Sequence, residues 1–485
     1  MIYIHWLGLF IYMIIVTIAM VTVLMDRRQP AKTMAWVLVL IFIPVVGIIL
    51  YIFFGQDIRK ERIISQHSLD QLTKRSMLEF TEQKDLQLPD EHQQLIRLFI
   101  NQNWALPFKN NETTVYTEGY EFFPALLADI SRARHHIHLC SYIIADDPLG
   151  RLFADALIDK ARQGVEIRII YDDVGCWRVS NRYFERLREE GIEVHSFMPV
   201  KFPAFTRKVN YRNHRKICVI DGRVGFIGGM NIALRYVKGI ANKRKHTGNK
   251  QIPWRDTHLR LTGNIVYGLQ RTFLVDWYFV DHTLISNRKY YQGMAVGDNN
   301  PSTSLMQIVT SSPTASWPDI EQGYVRILLE AKEYVYMETP YFLPTDPILF
   351  AMRTAAISGV DVRLMIPLHA DAKLVEWASR SYVMQTIEAG VKVFLYEPGF
   401  NHSKLLVSDD SLATVGSTNV DFRSFENNFE ANVFIYDKTL ALKLKDIFLE
   451  DQAKSLHLDD ITDLEHRPFL KRLWESLVRL LSPLL

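Results

Sequence analysis

One pattern occurs twice in this chain, and it limits the architecture before any helix or strand is assigned. The first copy runs His214-Arg-Lys216, four residues, Asp221, six residues, then Gly228-Gly229-Met-Asn231. The second runs His402-Ser-Lys404, four residues, Asp409, six residues, then Gly416-Ser417-Thr-Asn419. Every polar position agrees in register, which chance does not supply over such a span. The duplication extends upstream. Ala133-Arg134 answers Ala331-Lys332, Gly164-Val-Glu-Ile-Arg168 answers Gly359-Val-Asp-Val-Arg363, and Gly191-Ile-Glu-Val194 answers Gly390-Val-Lys-Val393. Helical-period stretches alternate with short apolar runs, the pattern of an α/β sandwich. The period is too long for a solenoid, so the chain reads as two homologous domains, each supplying half of one site. The first half carries extra residues before His214, among them Lys201-Phe-Pro-Ala-Phe205 and Arg207-Lys208.

The motif has a chemical reading. Val219-Ile220 and Leu405-Leu406-Val407 are apolar runs of buried-strand type. Side chains two apart on a strand share a face, so each histidine should point the same way as its lysine. An imidazole beside an ammonium suits attack on a phosphate: the lysine balances the anion, and the histidine acts as nucleophile or proton donor. The small residues at Gly228-Gly229 and Gly416-Ser417 would let backbone approach a ligand, with Asn231 and Asn419 donating to phosphate oxygens. Each imidazole also needs a carboxylate on its other nitrogen. Asp221 and Asp409 complete the motif and count with the catalytic set, although their place at the far end of the strand suits a structural role.

These residues resemble the phospholipase D superfamily, whose mark is this doubled His-x-Lys-x4-Asp motif. The flanking phrases Asn210-Tyr-Arg-Asn-His-Arg-Lys216, Glu338-Thr-Pro-Tyr-Phe342, Gly399-Phe-Asn-His402 and Asp421-Phe-Arg-Ser-Phe425 resemble its bacterial cardiolipin synthase branch. The resemblance implies transfer of a phosphatidyl group from one phosphatidylglycerol to another, through a phosphohistidine and without metal or cofactor. Of the two histidines, His214 is the preferred nucleophile. It also implies that Asp256, in Trp254-Arg-Asp-Thr-His258, and Glu430, in Asn428-Phe-Glu430, orient the histidines. The first half departs from the second where Cys140 stands against Glu338, and no role passes to Cys140. Other readings stay open: a lipid-hydrolysing phospholipase D, a transphosphatidylase with another acceptor, a nuclease, or a membrane scaffold with a decayed site. A net charge of only +2 does not argue for nucleic acid.

The N-terminus points to lipid. Trp6–Met25 and Ala35–Phe54 are uncharged runs of membrane-spanning length. They predict a transmembrane hairpin within residues 1–60, with spans at about 4–25 and 34–55. The expected site is the bacterial inner membrane, multi-pass. The basic residues after the second span (Arg59, Lys60, Arg62, Lys74, Arg75) favour a cytoplasmic catalytic domain, while Arg27, Arg28 and Lys32 in the short loop argue the other way. Residues 61–105 read as a connector, 106–300 and 301–460 as the two homologous domains, and 461–485 as a C-terminal amphipathic helix. That helix is either interfacial or packed on the core. The loop holding Lys243-Arg244-Lys245 and Lys250 could meet an anionic surface. His135, His136 and His138 read as a solvated strand end rather than a metal tract. His369 and Asp371 follow a strand end, where ligands collect in α/β folds. Three widely spaced cysteines form no disulfide framework and no zinc spacing.

Overall fold

The computed structural model describes residues 2–25, 30–54, 86–200, 210–241, 251–291, 304–458 and 468–484. The segments 201–208 and 243–250, the basic residues of the 26–29 and 55–85 stretches, and the 292–303 boundary lie outside the described residues.

The N-terminal unit contains α1 (Ile2–Met25), α2 (Pro30–Phe42) and α3 (Pro44–Phe54). The single apolar run expected over 34–55 is two helices, because Pro44 has no N–H to continue the α2 ladder. Val23, Leu40 and Tyr51 are buried together, and Trp36 meets Tyr51 edge-on at 5.4 Å. Among the described residues no helix is long and apolar enough to cross a membrane; part of the side chains of α1 fall outside that set.

The larger unit opens with α4 (Gln93–Asn103). The first half then contributes β1 (Asn111–Glu118), α5 (Gly119–Arg132), β2 (His136–Ser141), α6 (Pro148–Arg162), β3 (Glu166–Asp172), α7 (Asn181–Glu189) and β4 (Glu193–Phe197). After these come β5 (Arg212–Asn213), β6 (Ile217–Ile220), β7 (Val224–Gly228), β8 (Trp254–Gly263) and α8 (Val266–Asp281). The second half repeats the plan with β9 (Leu305–Ser311), α9 (Asp319–Glu330), β10 (Tyr334–Glu338), α10 (Asp346–Ile357), β11 (Asp361–Pro367), α11 (Lys373–Ile387) and β12 (Lys392–Tyr396). It continues with β13 (Phe400–Asn401), β14 (Leu405–Ser408), β15 (Leu412–Gly416), β16 (Asn428–Tyr436) and α12 (Lys438–Gln452), and α13 (Phe469–Arg479) follows.

The repeat is visible in the sheets. In the first, β7, β6, β2, β3 and β4 are neighbours in that order; in the second, β15, β14, β10, β11 and β12 follow the same sequence. Gly164 and Gly359 close equivalent helices at φ +86° and +97°, a conformation that a Cβ disfavours. One apolar core lies on each sheet, around Phe153, Ile169 and Phe226 in the first half and Tyr324, Leu364 and Phe434 in the second. Burial of such side chains contributes roughly 1.5–3 kcal/mol each.

Two features depart from the expected division. First, α4 precedes the first half in sequence but packs in the second: Leu95, Ile96 and Phe99 join the second core, with Phe99 4.4 Å from Phe434. Pro107-Phe108 adds to the edge of β9. Second, the halves exchange strands. β5 of the first half pairs in parallel with β16, and β13 of the second half pairs in parallel with β8.

Two buried arginines fasten the seam. Arg255 forms an ion pair with Asp451 at 2.7 Å, and Arg215 bonds Asp276 as well as the carbonyls of Glu430 and Ser311. Removing one member of a buried pair strands the other charge, at a cost of about 3–5 kcal/mol. Arg255→Met should therefore lower the urea midpoint of the catalytic unit substantially. An unchanged midpoint would show that the pair adds nothing.

Candidate active site

The exchanged strands position the chemistry. β13 aligns Asn401 with Arg255, which sets His402 beside Asp256 one residue on. β5 aligns Asn213 with Phe429, which sets His214 beside Glu430. The histidines and lysines do not lie within strands as the sequence suggested. Residues 214–216 and 402–404 are extended links where the chain passes from one sheet to the other. The seam requires it: His214 N–H donates to the Phe429 carbonyl at 2.9 Å, and His402 N–H to that of Arg255 at 2.7 Å.

Each imidazole is held by a carboxylate from the opposite half. His214 Nδ1 lies 3.0 and 3.1 Å from the two oxygens of Glu430, and His402 Nδ1 lies 2.7 Å from Asp256. Both acids are fully buried. Such pairing puts the proton on Nδ1 and leaves the Nε2 lone pair for chemistry. Lys404 Nζ lies 2.8 Å from His402 Nδ1 and shares Asp256 as its counter-charge, and both lysines donate to their histidine's own carbonyl.

The electrostatics follow from burial. Lys216 is lowered to about 7 by desolvation, with Glu430 opposing and Lys404 reinforcing the shift. Lys404 is lowered to about 8 by desolvation, opposed chiefly by Asp256. Burial lowers His214, opposed by Glu430, and holds His402 well below the ordinary imidazole value, reinforced by both lysines. Despite its burial Glu430 is lowered by His214 and Lys216, whereas burial raises Asp256. A site carrying two cationic side chains and uncharged imidazoles is prepared for an anion.

Aromatic rings wall the site. Tyr142 lies 5.0 Å from the His214 ring and 5.4 Å from the Lys216 ammonium. Trp254 and Tyr341 stand 5.2 and 6.2 Å from His402. Tyr341 donates its hydroxyl to Asp371 at 3.0 Å. This makes Asp371 a support for Tyr341, whereas the sequence offered it as a strand-end ligand candidate. Tyr142 and Arg215 were not singled out in the sequence. The signal for Arg215 was its central place in the His-x-Lys triplet, facing away from the site.

Several expected site residues are engaged elsewhere in the fold. Asp221 and Asp409 bond backbone N–H groups rather than either histidine. Asp221 accepts from the backbone N–H groups of Arg134, His135 and His136, and Asp409 from those of Lys332, Glu333 and Tyr334. Both sit at positive φ in turns and pin the start of β2 and β10. Asn231 donates to the Tyr236 hydroxyl at 2.6 Å, and Asn419 to Asp421 at 3.1 Å. One N–H of each amide braces a loop in this way. The small residues make room for the acids: a Cβ on Gly229 would fall 2.0 Å from Asp256 Oδ1, and Ser417 bonds Glu430 at 2.5 Å. His136 and His138 are buried, not solvated; Gln270 bridges them at 3.0 and 2.8 Å. Among the described residues no cluster of three or more His, Cys, Asp or Glu could hold a metal ion.

Comparison with known proteins places this geometry. The family model for the cardiolipin synthase, phospholipase D-like domain matches residues 126–242 and 324–452, and a phospholipase D-nuclease N-terminal model matches 8–56. The cardiolipin synthase of Oceanobacillus iheyensis is 38% identical over 479 residues, covering 97% of each chain. The major cardiolipin synthase ClsA of Bacillus subtilis is 39% identical over 484 residues, again covering 97% of each. The chain belongs to the cardiolipin synthase family. Its fold is also that of phosphatidylserine synthase from Haemophilus influenzae, with a TM-score of 0.59 at 16% identity, covering 81% of this chain and 100% of that one.

The two acids and the two motif aspartates should separate in experiment. Glu430→Gln should leave folding intact and lower kcat by about 100-fold or more, as loss of an orienting carboxylate does. Asp221→Asn should lower thermal stability while the folded fraction keeps its kcat within a few-fold. Equal kcat losses in the two variants would return Asp221 to the chemistry.

Proposed function

We propose that this chain makes cardiolipin by transferring a phosphatidyl group from one phosphatidylglycerol to another, with release of glycerol. The observation that carries this reading is the crossed pair of imidazole–carboxylate bonds with a buried lysine beside each histidine, in a chain of the cardiolipin synthase family. His214 Nε2 attacks phosphorus, and the bond from phosphorus to the glycerol oxygen breaks. His402, as imidazolium, gives its Nε2 proton to that oxygen. The terminal hydroxyl of the second phosphatidylglycerol then gives its proton to His402 and attacks, breaking the phosphorus–nitrogen bond. One phosphodiester replaces another, so the exchange needs no nucleotide.

The assignment of roles rests on the unequal acids. Glu430 is held in its charged form, which stabilises positive charge on His214 as the phosphohistidine forms. A bound diester would add negative charge beside Lys216 and Lys404, offsetting the two lysines that lower His402 and restoring its basicity.

The proposed lipid substrates support a location at the bacterial inner membrane. α1 is a charge-free helix of 24 residues, about 36 Å at 1.5 Å per residue, and Phe10, Ile18 and Leu24 on it are exposed. These support a membrane hairpin over 4–25 and 34–55, and the basic residues that follow it support a cytoplasmic catalytic unit.

The first test is a product assay with phosphatidylglycerol alone. Cardiolipin plus glycerol is expected; phosphatidic acid would make water the acceptor and the enzyme a hydrolase. The pH profile gives a second test. A phosphodiester keeps its charge from pH 7 to 9, while the lysines at about 7 and 8 lose theirs as pH rises. KM for phosphatidylglycerol should therefore rise about tenfold over that range, about 1.4 kcal/mol. A flat KM would remove the lysines from phosphate binding.

A further inference from the structure

The C-terminal helix α13 is packed the wrong way round for a soluble protein. Its buried residues are Glu475 and Val478, with Val478 against Leu343 and Ala378. Phe469, Leu470, Leu473, Trp474, Leu477 and Leu480 are all exposed, Leu470 by 76%. At 100° per residue these six occupy one arc of about 140°, on the side away from Glu475 and Val478. An amphipathic helix ordinarily turns that arc inward.

The exposed charges on the helix have one sign. Exposed Lys471 borders the apolar arc on one side and exposed Arg472 on the other, with Arg479 half-buried over Tyr382, while the helix's sole acid, Glu475, is buried. A second copy docking through this arc would bring like charges together. An anionic bilayer would meet both the apolar arc and its basic edges.

The helix also has a defined relation to the site. Trp474 meets Trp377, Glu475 lies 4.0 Å from Arg380, and Arg479 lies over Tyr382. The partners advance together, so α13 runs parallel to α11 and its Phe469 end lies toward Lys373. Two residues before Lys373 is Asp371, which holds Tyr341 beside His402. The apolar arc therefore begins next to the edge of the active site.

We infer that α13 lies in the headgroup–acyl boundary of an anionic bilayer, apolar arc inward, and holds the Tyr341 edge of the site against the lipid. This rests on the reading of the substrates as bilayer lipids. The helix would be a second contact with the membrane, made by the catalytic unit itself.

The test uses the full chain in vesicles containing phosphatidylglycerol. A polarity-sensitive dye on Leu477→Cys should shift to the blue and be quenched by lipids bearing a nitroxide on the acyl chain. A dye that stays unquenched overturns the inference. In parallel, a Leu473→Ser, Leu477→Ser double variant should lose about tenfold in turnover on vesicles and keep wild-type turnover in detergent–phosphatidylglycerol micelles. Equal losses in both media, or no loss in either, also overturn it. If the dye is quenched but the protein makes phosphatidic acid, the helix assignment stands and the synthase reaction falls.

Discussion

The structure depends on two hydrogen bonds that cross its seam, from His214 to Glu430 and from His402 to Asp256. Each requires a two-residue strand to be taken from one half into the sheet of the other. Neither half then contains a finished catalytic histidine. The seam is expensive to build, because it brings together six ionisable side chains, His214, Lys216 and Asp256 from the first half and His402, Lys404 and Glu430 from the second, all buried except the partly exposed His214. Arg215 and Arg255, on the far side of the same links, bind the halves so that those groups remain in register.

The halves match in plan and differ in detail. A longer acid with a serine holds one histidine; a shorter acid, closely packed on a glycine, holds the other. Cys140 stands where Glu338 stands in the second half. In the first half the adjoining carboxylate is supplied by Asp276, which accepts from Asn213, while in the second Glu338 accepts from Asn401. Burial raises Glu338 to about 7, and Asp451 adds to the rise. Two similar sites made unequal in this way can divide a two-step exchange between them.

Much of this was legible in the sequence because the duplication repeats chemistry at fixed spacing. The histidines, lysines, orienting acids and sheet alternation could all be placed from the motif, its resemblance and its apolar runs. The remainder depended on tertiary pairing. Nothing in Asn210–Lys216 announces that Arg212-Asn213 joins a distant sheet. The apolar set Leu95, Ile96 and Phe99 announces a helix but not which core receives it. Asp221 and Asp409 share a motif with the histidines, yet a strand separates them from the chemistry and their carboxylates answer backbone N–H groups. His136 and His138 sit in a strand that looked wet at its start; Gln270, far along the chain, makes their burial possible.

The placement of α4 has a consequence for synthesis. The ribosome releases Leu95, Ile96 and Phe99 before any of the first half, yet their partners, from Leu305 through Tyr324 to Phe434, all belong to the second. A nascent chain therefore carries this apolar strip without its partners while the whole first half is made. The first half can assemble its own sheet while it waits, apart from the strand that arrives with Phe400-Asn401. Closing the molecule is thus one late event, in which α4, the strands of the second half and both histidines fall into place together.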